Sequence, residues 1–522
     1  MSSCNDDEKL ILSYFFTNLD KPIFLAKNFH PEVWALMQAR YSRSSIGMRE
    51  GFLELLKEDG ENFAQLVQYL RESKGGASMD HAVAKAMQFM DKWVLGYGHS
   101  SVAEGAVVGV GLEGVSILAT KVIEDNRLAS YIEKSTRYVS FDRNSFLIPQ
   151  EIKESSLAKD AEKLINLQFQ TYQDFHEPVL SRIKELSPVQ AGQNENAWLR
   201  SCAARRFDSV RYLLPACTKT SLGWTLNART LAHAISKLLS HPLAEMRQIG
   251  EALREEGKKC LPSLLKYAER NEYFVSTEQD GAEFVNSLLG AVKAKKGEAV
   301  ALAFADRDGE EKVLAAILYK HSTLSLKEAR GRVKKMSGAQ KEALIESVLK
   351  TRGQFDALAR EFEHCAIGFD VLMDYGAFRD LQRHRLCTQS NQLLTPNFGY
   401  DVPEDIVACG EALVAKYKKV MKKSAQLYGE LAKTNIHAAQ YVLPLAYKKR
   451  VLMDMNLRQA FYLIKLRSTP QGHISYRCIA KGMYDLVCKQ YPLFAKYFVC
   501  DLSNDELGRL KQETKFEEKL AR

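Results

Sequence analysis

The amino-acid sequence predicts a helix-rich α+β protein that contains two tandem copies of one unit. Three observations support this prediction. The chain has 522 residues, which is long for a single core and suits two domains. Helical patterns around residues 157–185, 228–270, 407–433 and 457–490 greatly outweigh a few short strand patterns. In addition, one stretch of about twenty residues occurs twice, without a gap.

The repeat is clearest around a Leu-Pro pair. Residues 210–229 read VRYLLPACTKTSLGWTLNAR, and residues 439–458 read AQYVLPLAYKKRVLMDMNLR. The prolines and the asparagines of the closing Asn-x-Arg are both 229 residues apart. Similarity at one fixed offset predicts a duplicated structural unit.

A second, looser correspondence precedes each Leu-Pro stretch. Residues 103–127 (AEGAVVGVGLEGVSILATKVIEDNR) and 362–385 (FEHCAIGFDVLMDYGAFRDLQRHR) each predict an alternating strand that runs into an amphipathic helix. The strong patterns are interrupted around residues 275–300. We therefore expect a first copy over residues 1–285 and a second copy over residues 286–522.

Composition narrows the function classes. The chain is 46% hydrophobic and 26% charged, which is typical of globular proteins, and its net charge of +9 permits anionic ligands without requiring nucleic acid. Acidic residues are interleaved with the basic ones and no groove pattern of aromatic and basic residues is present. A nucleic-acid-binding protein is therefore a remote alternative.

Cysteine usage and the N-terminus indicate the cellular compartment. Ten cysteines without a Cys-x-x-Cys pair predict neither a metal site nor a redox motif, and they suit reduced thiols in a cytoplasmic protein. The first residues, MSSCNDDEKL, are acidic rather than basic, which argues against a signal peptide. No apolar run reaches the length that spans a bilayer.

The triplet Arg383-His384-Arg385 is the most unusual charge pattern in the chain. Adjacent cations repel one another unless an anion or a carboxylate lies between them, so the triplet implies either a salt-bridge cluster or an anionic ligand. An extended backbone would place Arg383 and Arg385 on one side and His384 on the other.

Taken in order, these segments resemble the motifs of flavin-dependent thymidylate synthases. The Arg-His-Arg triplet is the most diagnostic element of that family, and the doubled pattern resembles its long, two-copy members, such as those of chlamydiae. The matching segments are GHSSVAEGA (98–106), NRLASYIEKSTRYV (126–139), VRYLLP (210–215), TLNARTL (225–231), EHCAIGFDV (363–371), QRHR (382–385), YVLPL (441–445) and MNLRQAFYLIKLR (455–467).

The resemblance implies a methyltransferase that converts dUMP to dTMP. Methylenetetrahydrofolate is then the carbon donor, reduced FAD the hydride source and NADPH the reductant of the flavin, and no metal is expected. The family fold implies short, mostly antiparallel sheets beside many helices. Typical members are homotetramers with sites between subunits, so a two-copy chain is expected to form a homodimer that acts as a pseudo-tetramer.

The resemblance also implies roles for individual residues. Arg467 is the expected catalytic residue, because the matching family position faces the uracil ring and polarises it; the alternative is an arginine that offsets the helix dipole. Asn456 and Arg467 lie eleven residues apart, on one helix face and about 16 Å apart along the axis. The implied dUMP ligands are Glu133, Ser135, Arg137, Arg211, Arg383 and Arg467. The implied FAD ligands are Ser101, Arg383, His384, Arg385, Asn456 and Arg458.

The two copies differ at these positions. Copy one has Leu238 in the place of Arg467 and Asp125-Asn126-Arg127 in the place of Arg-His-Arg. Copy two has Leu393 and Thr395 opposite Ser135 and Arg137, and Gln440 opposite Arg211. We therefore expect one composite site that combines residues of both copies, and a vestigial second site. The alternative is a degenerate flavin- or nucleotide-binding homologue without turnover.

Overall fold

The computed structural model describes residues 4–42, 44–57, 60–72, 101–290, 292, 297–504 and 507–520. The chain forms two compact units. The first contains the described parts of residues 1–112, 128–132 and 222–288, and the second contains those of residues 113–127, 133–221 and 289–522. The second unit therefore combines the middle of the predicted first copy with nearly all of the second. The boundary near residue 285 stays a prediction about the sequence halves.

The N-terminal helices of the first unit enclose their own hydrophobic core. The rings of Phe15, Phe29 and Phe52 pack together with centroids 4.8–5.0 Å apart. The elements up to residue 290 are α1 (Asp6–Phe15), α2 (Pro31–Tyr41), α3 (Met48–Lys57), α4 (Gly60–Glu72), β1 (Val107–Ser116), α5 (Ile117–Ile123), β2 (Ala129–Glu133), α6 (Gln150–Lys153), α7 (Ala158–Leu186), α8 (Glu195–Val210), β3 (Lys219–Asn227), α9 (Ala228–Leu239), α10 (Ala244–Cys260) and α11 (Glu272–Leu289).

The rest of the chain repeats the pattern of strand followed by helix. Its elements are β4 (Val300–Ala305), α12 (Gly309–Lys320), α13 (Leu326–Lys335), α14 (Gly338–Leu349), β5 (Ala366–Asp374), α15 (Tyr375–Leu381), β6 (Thr388–Asn391), α16 (Glu404–Ala408), α17 (Glu411–Ala432), α18 (Ile436–Ala439), β7 (Lys448–Asn456), α19 (Leu457–Arg467), α20 (Ile474–Gln490), α21 (Pro492–Ala495) and α22 (Leu510–Leu520). None of the described helices has the length and apolar content needed to cross a membrane.

Two small sheets accompany the helices in the described ranges, and this confirms the predicted α+β class. Strands β1, β2 and β3 form a sheet in the order β1-β3-β2, and the second unit holds a sheet in the order β4-β5-β7-β6. All three pairings of the second sheet are antiparallel. Its central pair runs in register from Ala366 opposite Asn456 to Asp374 opposite Lys448. This register fixes where α15 and α19 begin.

The predicted repeat is also visible in the backbone. Strands β3 and β7 span the same positions at the offset of 229 residues, and α5 and α15 do so at 258. Within the second unit the two Leu-Pro segments pair reciprocally: the amide of Ala216 donates to the Leu443 carbonyl, and the amide of Leu445 donates to the Leu214 carbonyl, both at 2.9 Å. Equivalent residues thus exchange equivalent hydrogen bonds, as at a two-fold interface.

Three of the four long helical segments predicted from the sequence are interrupted in the structure. The segment 228–270 is broken after Leu239, where Pro242 cannot continue the hydrogen-bond ladder. The segment 457–490 is broken at residues 468–473, which include Pro470 and Gly472. The segment 407–433 is broken at Gly410, which has a φ of 97° that other residues rarely adopt.

Candidate active site

Two capped helices in the second unit carry the predicted site. The Asp374 carboxylate at the end of β5 accepts a hydrogen bond of 2.7 Å from the Ala377 amide and so starts α15. The Asn456 side chain at the end of β7 accepts one of 2.8 Å from the Gln459 amide and starts α19. The Arg-His-Arg triplet follows α15, and Arg467 is the last residue of α19.

A buried carboxylate neutralises the cations around α15. Glu133 accepts hydrogen bonds from Arg379 Nη2 (2.8 Å), Lys121 Nζ (3.1 Å) and Arg383 Nη2 (3.2 Å). The Thr120 hydroxyl adds a fourth at 2.9 Å. Burial alone would raise the pKa of Glu133, but the three cations outweigh it and hold the pKa well below its usual range. Glu133, a predicted dUMP ligand, is thus already the centre of a salt-bridge cluster.

The Arg-His-Arg triplet lies in a turn, so the assumed extended geometry was wrong. The amide of His384 donates to the Leu381 carbonyl (3.1 Å), and the amide of Cys387 donates to the His384 carbonyl (3.0 Å). As a result the three side chains have different environments. Arg383 faces the Glu133 cluster, His384 is buried, and Arg385 is exposed with no ion pair or hydrogen bond among the residues that the structure describes.

His384 orients the predicted catalytic arginine. Arg467 Nε donates to His384 Nε2 at 2.8 Å. Burial and the charge of Arg467 lower the pKa of His384 to about 3, so the imidazole is neutral. Because Nε2 accepts, Nδ1 carries the proton. Gln459 Nε2 lies 3.0 Å from Nδ1, and two donors cannot face each other, so we assign the Gln459 amide the flipped orientation with its oxygen toward Nδ1. A neutral imidazole therefore holds the guanidinium of Arg467 in place.

Asp380 lies between arginines of both copies. Its carboxylate is 3.8 Å from Arg467 Nη1 and 3.9 Å from Arg211 Nη1. Burial would raise its pKa, but Arg211, Arg137 and Arg467 together lower the pKa. No sequence pattern predicts Asp380; the only signal was its position one helical turn before Arg383. It is the counter-ion that lets these guanidiniums share one site.

Arg211 retains unused hydrogen-bonding capacity. Its side chain is 1% exposed, and its Nε and Nη2 make no hydrogen bond within the described chain. Gly376 at the start of α15 leaves room for it, because a Cβ there would lie 3.1 Å from Arg211 Nη2. A buried guanidinium with orphan donors is unusual and fits an anionic or carbonyl acceptor.

Arg137 and Arg467 meet on the ring of Tyr476. The Cζ atom of each arginine lies 5.5 Å from the Tyr476 ring centroid. Arg137 also donates to the Tyr476 hydroxyl (2.8 Å) and to both carboxylate oxygens of Asp208 (2.7 and 2.9 Å). Its amide donates to the Ser135 hydroxyl at 3.1 Å. Neither Asp208 nor Tyr476 was predicted, since nothing in the local sequence distinguishes them.

Three of the predicted flavin ligands belong to another part of the structure or have partners within the protein. Ser101 is exposed in the first unit, and residues 98–100 of the GHSS motif lie outside the described residues. The Asn456 side chain serves as a helix cap. Arg458 donates to the Leu358 carbonyl (2.7 Å) and pairs with Glu363 (2.6 Å).

Two comparisons connect this geometry to known proteins. The family profile of the thymidylate synthase complementing proteins, Thy1, matches residues 52–263 and again residues 303–493. The two matched segments correspond to the two copies. Such a doubled match agrees with the repeated strands and helices of the fold.

Individual relatives give the same result. A UPF0159 protein of Chlamydia pneumoniae is 33% identical and covers 98% of this chain and 97% of its own length. A UPF0159 protein of Thermoplasma acidophilum is 31% identical over 83% of this chain and 92% of its own length. A flavin-dependent thymidylate synthase of Clostridium tetani is 26% identical over 36% of this chain and 73% of its own length. The chain therefore belongs to the Thy1 family of thymidylate synthase complementing proteins and contains two tandem copies of its fold.

Proposed function

We propose that the protein methylates dUMP to dTMP, with methylenetetrahydrofolate as carbon donor, reduced FAD as hydride source and NADPH as the reductant of the flavin. The reaction takes place at a composite site to which both copies contribute. The site equivalent to it by repeat symmetry is vestigial, because it has Leu238 in the place of Arg467 and Thr395 in the place of Arg137.

One observation carries this proposal: arginines of different copies converge. Arg137 and Arg211 belong to copy one and Arg467 to copy two, yet Arg137 and Arg467 contact one tyrosine ring, and Arg211 and Arg467 face one carboxylate. Each copy alone lacks part of this set. A site that two diverged copies share requires that residues of both copies lie close together, as these arginines do.

The residues support a division of roles. Arg467 is a permanent cation held by the neutral His384, and it would stabilise negative charge that develops on the uracil ring. Arg211 has unused donors for the nucleotide. Arg137, a forked guanidinium, suits the phosphate of dUMP, for which it must share its donors with Asp208.

The anionic pyrophosphate of the cofactor requires a cationic binding region, and part of the predicted set fits one. Arg385 is exposed and free among the described residues, and Arg383 Nε is buried without a hydrogen bond. Their donors fit a pyrophosphate, as the resemblance implies for FAD. When bound, reduced FAD supplies a hydride, while this chain's arginines bind and orient the anionic groups.

A second candidate function is nucleotide or flavin binding without turnover. The observation that favours it is that most donors of Arg137 are already used, in hydrogen bonds to Asp208, Tyr476 and the Gln471 carbonyl. Purified protein that binds flavin but shows no dUMP-dependent oxidation of the reduced form would support this alternative.

The test is rescue of a thymidine-requiring bacterium, together with dTMP formation by the purified protein. We expect the wild type to rescue growth and Arg467→Ala to lose at least about 100-fold in turnover while it keeps its flavin. Arg467→Lys keeps the charge but not the two-pronged contact with His384 and Asp380, so it should recover only part of the activity. Arg330→Ala, which removes a surface arginine paired with Asp308, is the matched control.

Two results would contradict the proposal. If Arg467→Ala formed dTMP as fast as the wild type, the composite site would be wrong. If the wild type formed no dTMP under any reductant, the nucleotide-binding alternative would replace the proposed reaction.

A further inference from the structure

The C-terminal segment, residues 507–520, reaches the candidate site from outside the family match, which ends at residue 493. Its helix α22 is held against α8 by Arg200, which pairs with Glu513 at 2.9 Å and with Glu517. Gly508 passes so close to the Pro470 carbonyl that a side chain there would clash. The segment is therefore fitted to the turn between α19 and α20.

Arg509 is the residue that this segment brings to the site. It is 5% exposed, and its Nη2 donates to Asp208 Oδ2 at 2.9 Å. Its Nε donates to the Gln471 carbonyl at 3.2 Å, and its Cζ lies 4.8 Å from the Tyr138 ring centroid. Arg137 donates to the same Asp208 oxygen at 2.9 Å and to the same Gln471 carbonyl at 3.1 Å. The two guanidiniums thus form a pair around one carboxylate.

The pair has more positive charge and more donors than its protein partners use. Asp208 is one carboxylate between two guanidiniums, and these cations hold its pKa well below the usual range although burial would raise it. Arg509 Nη1 is buried and makes no hydrogen bond in the described ranges. Buried donors of this kind are rarely left unpaired in proteins.

The surrounding charges match a phosphate monoester. Arg137, Arg211, Arg467 and Arg383 lie around Asp380, and Arg137 and Arg509 lie around Asp208, while Asp374 is a third carboxylate beside Arg211. Guanidiniums therefore outnumber carboxylates in this part of the site. A phosphate monoester carries about −1.5 to −2 at pH 7 and offers three strong acceptor oxygens.

We propose that Arg509 is a second phosphate ligand beside Arg137 and that the C-terminal segment supplies it. This inference rests on the proposed function, because it assigns the phosphate of dUMP to this pair. Asp208 accepts a hydrogen bond from both guanidiniums on the same oxygen and so holds them beside each other. The orphan Nη1 of Arg509 then donates to a phosphate oxygen.

The experiment compares the binding of dUMP and deoxyuridine, which differ by the phosphate alone, to the full-length protein by calorimetry. Arg509→Ala is expected to weaken dUMP binding about 10- to 100-fold and to leave deoxyuridine binding unchanged. Arg509→Lys should keep part of the dUMP affinity. Lys511→Ala removes one cation from an exposed position of the same segment and is expected to change neither affinity more than about two-fold.

Each outcome decides the matter. A loss of affinity for both ligands means that Arg509 only anchors the segment, and this overturns the inference; the same comparison with Arg509→Lys decides it if Arg509→Ala does not fold. If the wild type forms dTMP and Arg509→Ala binds dUMP as tightly as the wild type does, the inference is overturned but the proposed function stands. Selective loss of dUMP affinity in a protein that makes no dTMP supports the inference and refutes the reaction. Failure of the wild type to bind dUMP refutes both.

Discussion

Replacing Glu133 by glutamine tests whether this residue is structural. Its carboxylate is fully buried and accepts hydrogen bonds from Arg379, Lys121 and Arg383. Glutamine has nearly the same shape but no charge, so the cations would lose their shared counter-ion. Glu124 remains beside Lys121, but it cannot replace the contact with Arg379.

The size of the effect follows from the burial of the cluster. Removing one partner from a buried ion pair costs about 3–5 kcal/mol, because the remaining charges stay buried without compensation. The second unit has about 340 residues, and an unfolding entropy of about 2.1 cal/mol/K per residue gives about 0.7 kcal/mol/K. The expected decrease in Tm of that unit is therefore about 4–7 °C.

The assay is differential scanning calorimetry of Glu133→Gln beside an exposed control. Asp160 and Lys163 form a surface pair at 3.5 Å with side chains 61% and 78% exposed. Asp160→Asn makes the same chemical change where water screens the charge, and it should cost at most about 1 kcal/mol. The double variant Glu133→Gln/Arg379→Gln removes a cation together with the carboxylate, and it should be less destabilised than the sum of the single variants.

A Tm of Glu133→Gln within about 1 °C of the wild type would refute the structural role. If dUMP affinity fell in that variant while Tm was unchanged, Glu133 would instead be the nucleotide ligand that the family resemblance implies. Loss of both would mean that the cluster positions the site as well as stabilising the fold. Calorimetry and dUMP titration of one preparation distinguish the three cases.

Two further predictions concern buried ionisable groups. Lowering the pH from 6.5 to 5 should reduce the unfolding free energy, because burial lowers the pKa of His176 to about 4 and of His384 and His473 to about 3. In this pH range only the imidazoles of the unfolded chain take up protons, and each contributes up to about 1.4 kcal/mol per pH unit. Urea titrations of the wild type and of His473→Gln at both pH values measure the loss. Lys449→Met should raise Tm at pH 7, because burial against the Phe378 ring (4.1 Å) lowers the pKa of this lysine to about 7. The gain in Tm should shrink toward pH 10, where the lysine of the unfolded chain also becomes neutral. An equal gain at pH 7 and at pH 9.5 would contradict this prediction.

The sequence predicted the duplicated fold well because duplication leaves a signal that does not depend on tertiary structure. The offset of 229 residues read from the Leu-Pro segments is the offset between strands β3 and β7. Helix continuity was predicted less well. Apolar periodicity continues across Pro242 and Pro470, so the pattern reads as one helix although each proline ends one.

Sequence motifs named only some of the residues that the structure brings together. Arg137, Arg211 and Arg467 were named from the family pattern and remain predicted ligands, but the carboxylates that contact them were not named. Asp208 is 71 residues from Arg137, and a single aspartate in a helix has no local feature that identifies its partner. Such pairs are fixed by packing of distant elements rather than by periodicity or caps. The turn at His384 was also missed, because the geometry of the triplet was worked out for an extended backbone.

The carboxylates also explain how the copies could diverge. At the offset of 258 residues Asp380 corresponds to Val122, in the same copy where Arg467 corresponds to Leu238. Copy one therefore lacks both members of the ion pair. Keeping either charge buried without the other would cost several kcal/mol, so loss of one favours loss of its partner.

The same argument applies to the other copy. Arg137 corresponds to Thr395 at the offset of 258 residues, and Asp208 corresponds to His437 at the offset of 229. Again both members of a pair are absent together. Joint absence of both members is what an interaction between the guanidinium and the carboxylate favours, because either charge alone would be buried without a partner. The substitution Leu238→Arg alone would therefore bury a charge without the carboxylate that Asp380 offers Arg467 in copy two.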